Sequence, residues 1–112
     1  MFAHTLTETD LRSALHGDVV ETLGIDTEKI IFPQWFDSPA VSFTFAARYL
    51  TATGQISSNR RTYRVTIWED PVAEGTYTLD VVRIAPRSAA RVLHDRALSE
   101  ESLNATLLTL VP

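Results

Sequence analysis

Between Val41 and Ala85 the chain alternates apolar and polar residues at period two in three separate runs. Val41, Phe43, Phe45, Ala47 and Tyr49 share one parity, with Ser42, Thr44, Ala46 and Arg48 between them. Tyr63, Val65 and Ile67 repeat the apolar parity against Thr62, Arg64 and Thr66, and Tyr77, Leu79 and Val81 do so against Thr76, Thr78 and Asp80. Successive side chains of a strand point to opposite faces, so these runs predict an antiparallel sheet with one buried and one polar face. Placing Ile67 opposite Tyr77 and Val65 opposite Leu79 also brings Arg64 opposite Asp80 on the polar face. After Val81 the apolar positions, Val82 and Ile84, continue one residue out of step. Burial of both faces would explain this, and so would a bulge near Val81-Val82, the preferred reading.

The connections carry turn chemistry. Thr53–Asn59 holds Gly54, Ser57, Ser58 and Asn59, and Glu69–Gly75 holds Pro71 and Gly75, so both read as hairpin loops. Upstream, Pro33 interrupts the apolar segment from Lys29 to Phe36, which predicts a short, bent or edge strand. Asp37-Ser38-Pro39 then turns into the first clear strand.

Helical periodicity flanks the sheet. Thr7-Glu8-Thr9-Asp10 has the hydroxyl and acids of a helix start, and Leu11, Leu15, Val19 and Leu23 follow at steps of four. Gly17 either weakens one helix or separates two, and Gly24 is a C-terminal stop. Beyond Pro86-Arg87-Ser88, the residues Ala89, Ala90, Val92, Leu93 and Ala97 suit a helix with Arg87, Arg91 and Asp95 on its wet side. Ser99-Glu100-Glu101 resembles a further helix cap, although Leu110-Val111-Pro112 leaves a terminal strand open. Together these elements predict one α+β domain over 1–112. It has an N-terminal helical segment, a four-stranded mainly antiparallel meander, and one or two C-terminal helices on the apolar face.

Composition narrows the function classes. The chain has 112 residues, 45% of them hydrophobic and 21% charged, as expected of a globular domain. Its formal net charge of −4 gives no general attraction to nucleic acid or anionic membrane. There is no cysteine, which removes disulfides, thiolate metal sites and cysteine nucleophiles. The first residues lack a signal-peptide pattern and no apolar run reaches the roughly 20 residues that cross a bilayer, so a cytoplasmic protein is expected.

Candidate chemistry is sparse. His4, His16 and His94 show none of the short spacings of metal ligands, and no Gly-rich phosphate loop or nucleophile elbow is present. No cofactor is therefore called for. His94-Asp95 on a helix would diverge by about 100°, too far for Asp95 to orient the imidazole. Asp80 falls on the outer face and Tyr63 and Tyr77 on the inner one, which separates a conceivable acid–base set. Arg60, Arg61 and Arg64 beside Tyr63 and Trp68 form the best anion-binding cluster, but the acidic chain and the absence of a nucleic-acid signature disfavour that partner.

What remains is the outer sheet face, where Thr44, Thr62, Thr66, Thr76 and Thr78 are joined by Trp68 and Leu50. A tryptophan on a face meant for water either anchors an interface or lies under the C-terminal segment. The expected function is a non-catalytic protein–protein interaction, either subunit assembly or the binding and blocking of another protein. The contact set is Trp68, Arg64, Arg48 and Leu50, and the partner is another protein or a second copy. The alternative is a small-molecule-binding or enzymatic domain whose pocket, between sheet and helices, is lined by Phe43, Phe45, Tyr49, Tyr63 and Tyr77. The order of a short N-terminal helix, an Ile31-Phe32-Pro33 segment and a Ser38-Pro39-led strand resembles that of phage tail-completion proteins. The chain departs from them at Gly75–Ala85, which reads as strand where a helix would be expected, and the resemblance is not taken as membership.

Overall fold

Val41, Phe43, Phe45, Ala47, Tyr63, Val65, Ile67, Tyr77, Leu79 and Val81 are all buried in one core, so the odd-numbered side chains turn inward as their alternation requires. The computed structural model describes residues 6–33, 38–85 and 87–112. Its sheet has four strands in the order β1-β2-β3-β4, all neighbours antiparallel. They are β1 (Ala40–Leu50), β2 (Ile56–Glu69), β3 (Tyr77–Ala85) and β4 (Ser88–Leu98). Three helices, α1 (Glu8–Ser13), α2 (Gly17–Leu23) and α3 (Glu100–Leu108), complete the α+β fold. Leu11 of α1, Leu15 of the turn that follows, and Val19 and Leu23 of α2 join Leu103 and Leu107 from α3 against the inner face. Burying each such leucine or valine is worth about 1.5–3 kcal/mol, and this layer holds the helices in place.

The N-terminal stripe is two helices. Thr7 caps α1 in a reciprocal box with Asp10, and the chain turns before α2, which begins at Gly17. Gly24 ends α2 in the left-handed region, φ 69°, where only glycine is free of strain. Asn104 ties α3 to that junction. Its Nδ2 donates to the carbonyls of Ala14 and Glu100, each at 2.8 Å, and its Oδ1 accepts the His16 N–H at 2.8 Å.

The sheet contains four strands, but not all of the expected ones. The Lys29–Phe36 segment contributes only a bridge between Ile31 and Ser42 among the described residues, after a 3-10 turn at Thr27–Lys29. Residues 34–37, like His4 and Pro86, lie outside those described. The fourth strand is instead β4, where a helix was expected. Alanine and arginine favour helix intrinsically, but a strand here completes the open side of β3. The C-terminal Ser99–Leu108 segment forms the capped helix, with the Ser99 hydroxyl accepting from the Ser102 N–H.

Register also differs from expectation. Ile67 pairs with Leu79 and Val65 with Val81, two residues away from the predicted match. The strand runs on through Glu69, which pairs with Tyr77, because Glu69 is buried rather than looped out. Its Oε2 accepts the Gly75 N–H at 2.8 Å and its Oε1 the Leu6 N–H at 3.0 Å. Arg64 therefore lies opposite Val82, and Asp80 lies opposite Thr66. The first loop is likewise shorter than expected, since Ile56–Asn59 already belong to β2.

The irregularity near Val81-Val82 is real, but β3 pairs continuously with β2 through it. The extra residue is on β4, where Leu93 pairs with Val81 and Arg91 with Val82, leaving Val92 unmatched and 47% exposed. A second extra residue follows between Asp95 and Leu98. There Ala97 has φ 54°, the one left-handed non-glycine among the described residues.

Candidate functional site

Every helix packs on the inner face, so the outer face is exposed where nothing else folds over it. Thr44, Ala46, Arg48, Thr62 and Arg64 are exposed there. At the other end of the same face Ser42, Thr66 and Thr78 are buried, and the Ser42 hydroxyl donates to the Val65 carbonyl at 3.0 Å. Trp68 belongs to this end. It is half-buried beside His94, with ring centroids 6.2 Å apart, and α3 packs on the opposite face of the sheet from it.

The four predicted contact residues do not form one patch. Trp68 pairs with Ala40 at one end of β1, and Leu50 pairs with Ile56 at the other. Ten residues of strand separate the two rungs, roughly 33 Å at the usual rise. Arg48 is close to the Leu50 end and Arg64 lies between. The aromatic pocket residues are also divided. Phe43, Phe45, Tyr63 and Tyr77 are packed in the core, with Phe45 and Tyr63 stacked at 5.3 Å, and they line none of the clefts described below. The side chains that were to form the pocket wall fill the space between sheet and helices. Tyr49 stands apart, half-exposed beneath the Arg61 guanidinium, which sits 3.6 Å from the ring centroid.

Two polar clusters were missed. Asp80 binds Arg91 Nε at 3.1 Å and His94 Nδ1 at 3.2 Å across the β3–β4 pair, so its partners come from β4 rather than Arg64. On a strand His94 and Asp95 point to opposite faces, which joins His94 to Asp80 instead. Asp70, 1% exposed, is the larger hub. Its Oδ1 accepts from the Val72 and Ala73 N–H groups and from Arg96 Nη2, while Oδ2 accepts from Thr78 Oγ1, Arg96 Nε and the Ala97 N–H. Its hydrogen bond from Arg96, with the three backbone amides, outweighs burial and holds the carboxyl well below its ordinary range. This hub joins the β2–β3 loop to β4 and is structural in its geometry.

A charge gradient runs along the sheet. From Ser38 to Trp68 there is no aspartate or glutamate, but there are four arginines, Arg48, Arg60, Arg61 and Arg64. Arg83 and Arg87 extend this basic end on β3 and the following turn. Two tyrosines of the inner face shift in opposite directions, with the neighbouring charges as secondary causes. A hydrogen bond with Ser57, then Arg61 and Arg83, lowers the Tyr49 pKa, whereas burial, then Glu100, Asp10 and Glu69, raises that of Tyr77. The modest net charge conceals this polarity, but the acid-free run is readable in the sequence.

Three clefts adjoin these surfaces. One of about 570 Å³ lies among α1, α2 and the following turn, lined by residues such as Arg12, Leu15, Val20 and Ile30. A second, about 280 Å³, lies beside Tyr49, Leu50 and Arg61. The third, about 520 Å³, follows the edge of β1 between Ala46-Ala47-Arg48, the end of α2 at Glu21–Gly24, and Ile56 and Arg60 of β2. Among the described residues no three histidine, aspartate or glutamate side chains gather as a metal set, and no helix is long and apolar enough to cross a membrane. No protein-family model, curated protein or solved structure matches this chain.

Proposed function

We propose that this protein acts by binding another protein through the basic half of its outer sheet face, without catalysis. The observation that carries this reading is the one-sided sheet: the helices cover one face, and Thr44, Ala46, Arg48, Thr62 and Arg64 stand exposed on the other. Strands supply a rigid platform, so side chains presented there lose little freedom on contact. Arginine adds planar, bidentate recognition of carboxylates. Leu50 and Ile56, 57% and 59% exposed and paired across the hairpin, add an apolar rung beside Arg48 and Arg60. Trp68 keeps a partly exposed surface at the far end and extends the face in that direction.

A photo-crosslinking amino acid placed at Thr62 tests the reading, with Glu101 on α3 as the control position. Discrete protein adducts from Thr62 alone, competed by excess unlabelled protein, are expected. Adducts equal at both positions, or none at Thr62, would refute it.

A further inference from the structure

Ser42 donates its N–H to the Ile31 carbonyl and accepts the Ile31 N–H, each at 2.9 Å, on the side of β1 away from β2. An antiparallel strand alternates the direction of its backbone groups, so those of Thr44, Ala46 and Arg48 also point away from β2. Among the described residues no backbone or side-chain group meets them there. Between Thr44 and Arg48, β1 is therefore an open edge among the described residues, and the cleft of about 520 Å³ lies against its Ala46–Arg48 part.

The side chains above that edge are mismatched. Arg48 lies directly opposite Arg60, in a rung of the closely spaced, non-hydrogen-bonded kind. Like charges so placed are destabilising, and among the described residues neither guanidinium has a carboxylate partner. Both line the same cleft.

Resting on the protein-binding reading above, we infer that the open edge of β1 at Thr44–Arg48 takes up an extended acidic segment of the partner as an added strand. A carboxylate facing Arg48 would be one strand spacing from it and two, about 10 Å, from Arg60, within the span of both side chains. The choice of a peptide over a nucleic acid follows from the edge itself. It presents carbonyl acceptors as well as N–H donors, and a phosphate backbone offers no donors to those carbonyls, whereas a peptide offers both in alternation.

The test uses a fluorescein-labelled peptide of Val-Glu repeats, its Val-Lys counterpart, and labelled oligo-dT, measured by anisotropy on the full chain. The Val-Glu peptide is expected to bind at least tenfold more tightly than the other two. R48E with R60E should reverse the preference between the peptides. Ala46→Pro should weaken binding at least tenfold, because among the described residues nothing accepts the Ala46 N–H and edge positions of that kind accept proline. If that variant does not fold, methylating alternate backbone nitrogens of the probe makes the same test on the wild-type protein, with the same loss expected. Equal binding of both peptides, indifference to N-methylation, or preference for oligo-dT overturns the inference. So does dimerisation of the free protein that Ala46→Pro abolishes, which assigns the edge to a second copy. Adducts retained at Thr62 alongside such a result leave the protein-binding reading intact, whereas their loss as well removes both.

Discussion

Replacing Asp70 by asparagine isolates the hub between the β2–β3 loop and β4. Each carboxylate oxygen accepts three hydrogen bonds, so either orientation of the new amide turns an acceptor with three donors into a donor itself. Arg96 is half exposed and recovers water, so its share is left out. What remains is two stranded donors, the Val72 and Ala73 N–H groups, in one orientation, and one, the Ala97 N–H, in the other, where the Thr78 hydroxyl turns to accept from the amide. At about 1–2 kcal/mol for each part-buried donor left unmet, Asp70→Asn should cost about 1–4 kcal/mol. For a domain of this size that is a fall in Tm of roughly 5 °C or more. The pH dependence has a definite sign. The folded-state carboxyl titrates well below its ordinary value of 3.8, so its stabilisation is complete above that value and is lost as the pH falls through and beneath it. Urea denaturation of both proteins at pH 7 and pH 3 should show a gap that narrows at the lower pH. A cost under 1 kcal/mol, or a gap independent of pH, would refute the reasoning.

Three further substitutions probe other joints of the fold. Ala97→Gly relieves a left-handed alanine at φ 54° and should leave stability unchanged or raise it by up to about 1 kcal/mol, measured by chemical denaturation. Asn104→Ala removes the buried clasp between α3 and the α1–α2 junction, and should cost about 2–3 kcal/mol, with amide exchange accelerating first in α3. Arg60→Glu turns the like-charge rung with Arg48 into an opposite pair and should add about 0.5 kcal/mol at low salt, a gain that molar salt abolishes.

How far the fold can be read from the sequence follows from where side chains are buried. Phe45, Val65 and Leu79 alternate with polar neighbours because the helices cover one face of β1, β2 and β3, and there the reading of parity holds. Strand β4 has no such signature. It lies at the margin, most of its side chains are exposed, and two extra residues break its period, so alanine and arginine dominate and suggest a helix. The two-residue error in register has one cause, the burial of Glu69, an acid that reads as loop unless its bonds to Leu6 and Gly75 are known. The Asp70 hub left a local trace, since an aspartate opening Asp70-Pro71-Val72-Ala73 can accept the amides two and three residues on. Arg96 and Ala97 arrive from the far side of β4, and no local pattern announces them. For the outer surface the sequence shows which side chains share a face but not how they group along it, because parity says nothing about distance along a strand. Trp68 and Leu50 share a side of the sheet and occupy its two ends.

The two extra residues of β4 bear on what association can build. Extra residues of this kind bend and twist a strand, which hinders a flat incoming strand from following that margin, while β1 keeps an unbroken register from Thr44 to Arg48. If β1 is the one margin that takes up a strand, as inferred above, the sheet is monovalent: it would terminate a row of strands without handing pairing on to the next molecule, and fibres would not propagate through it.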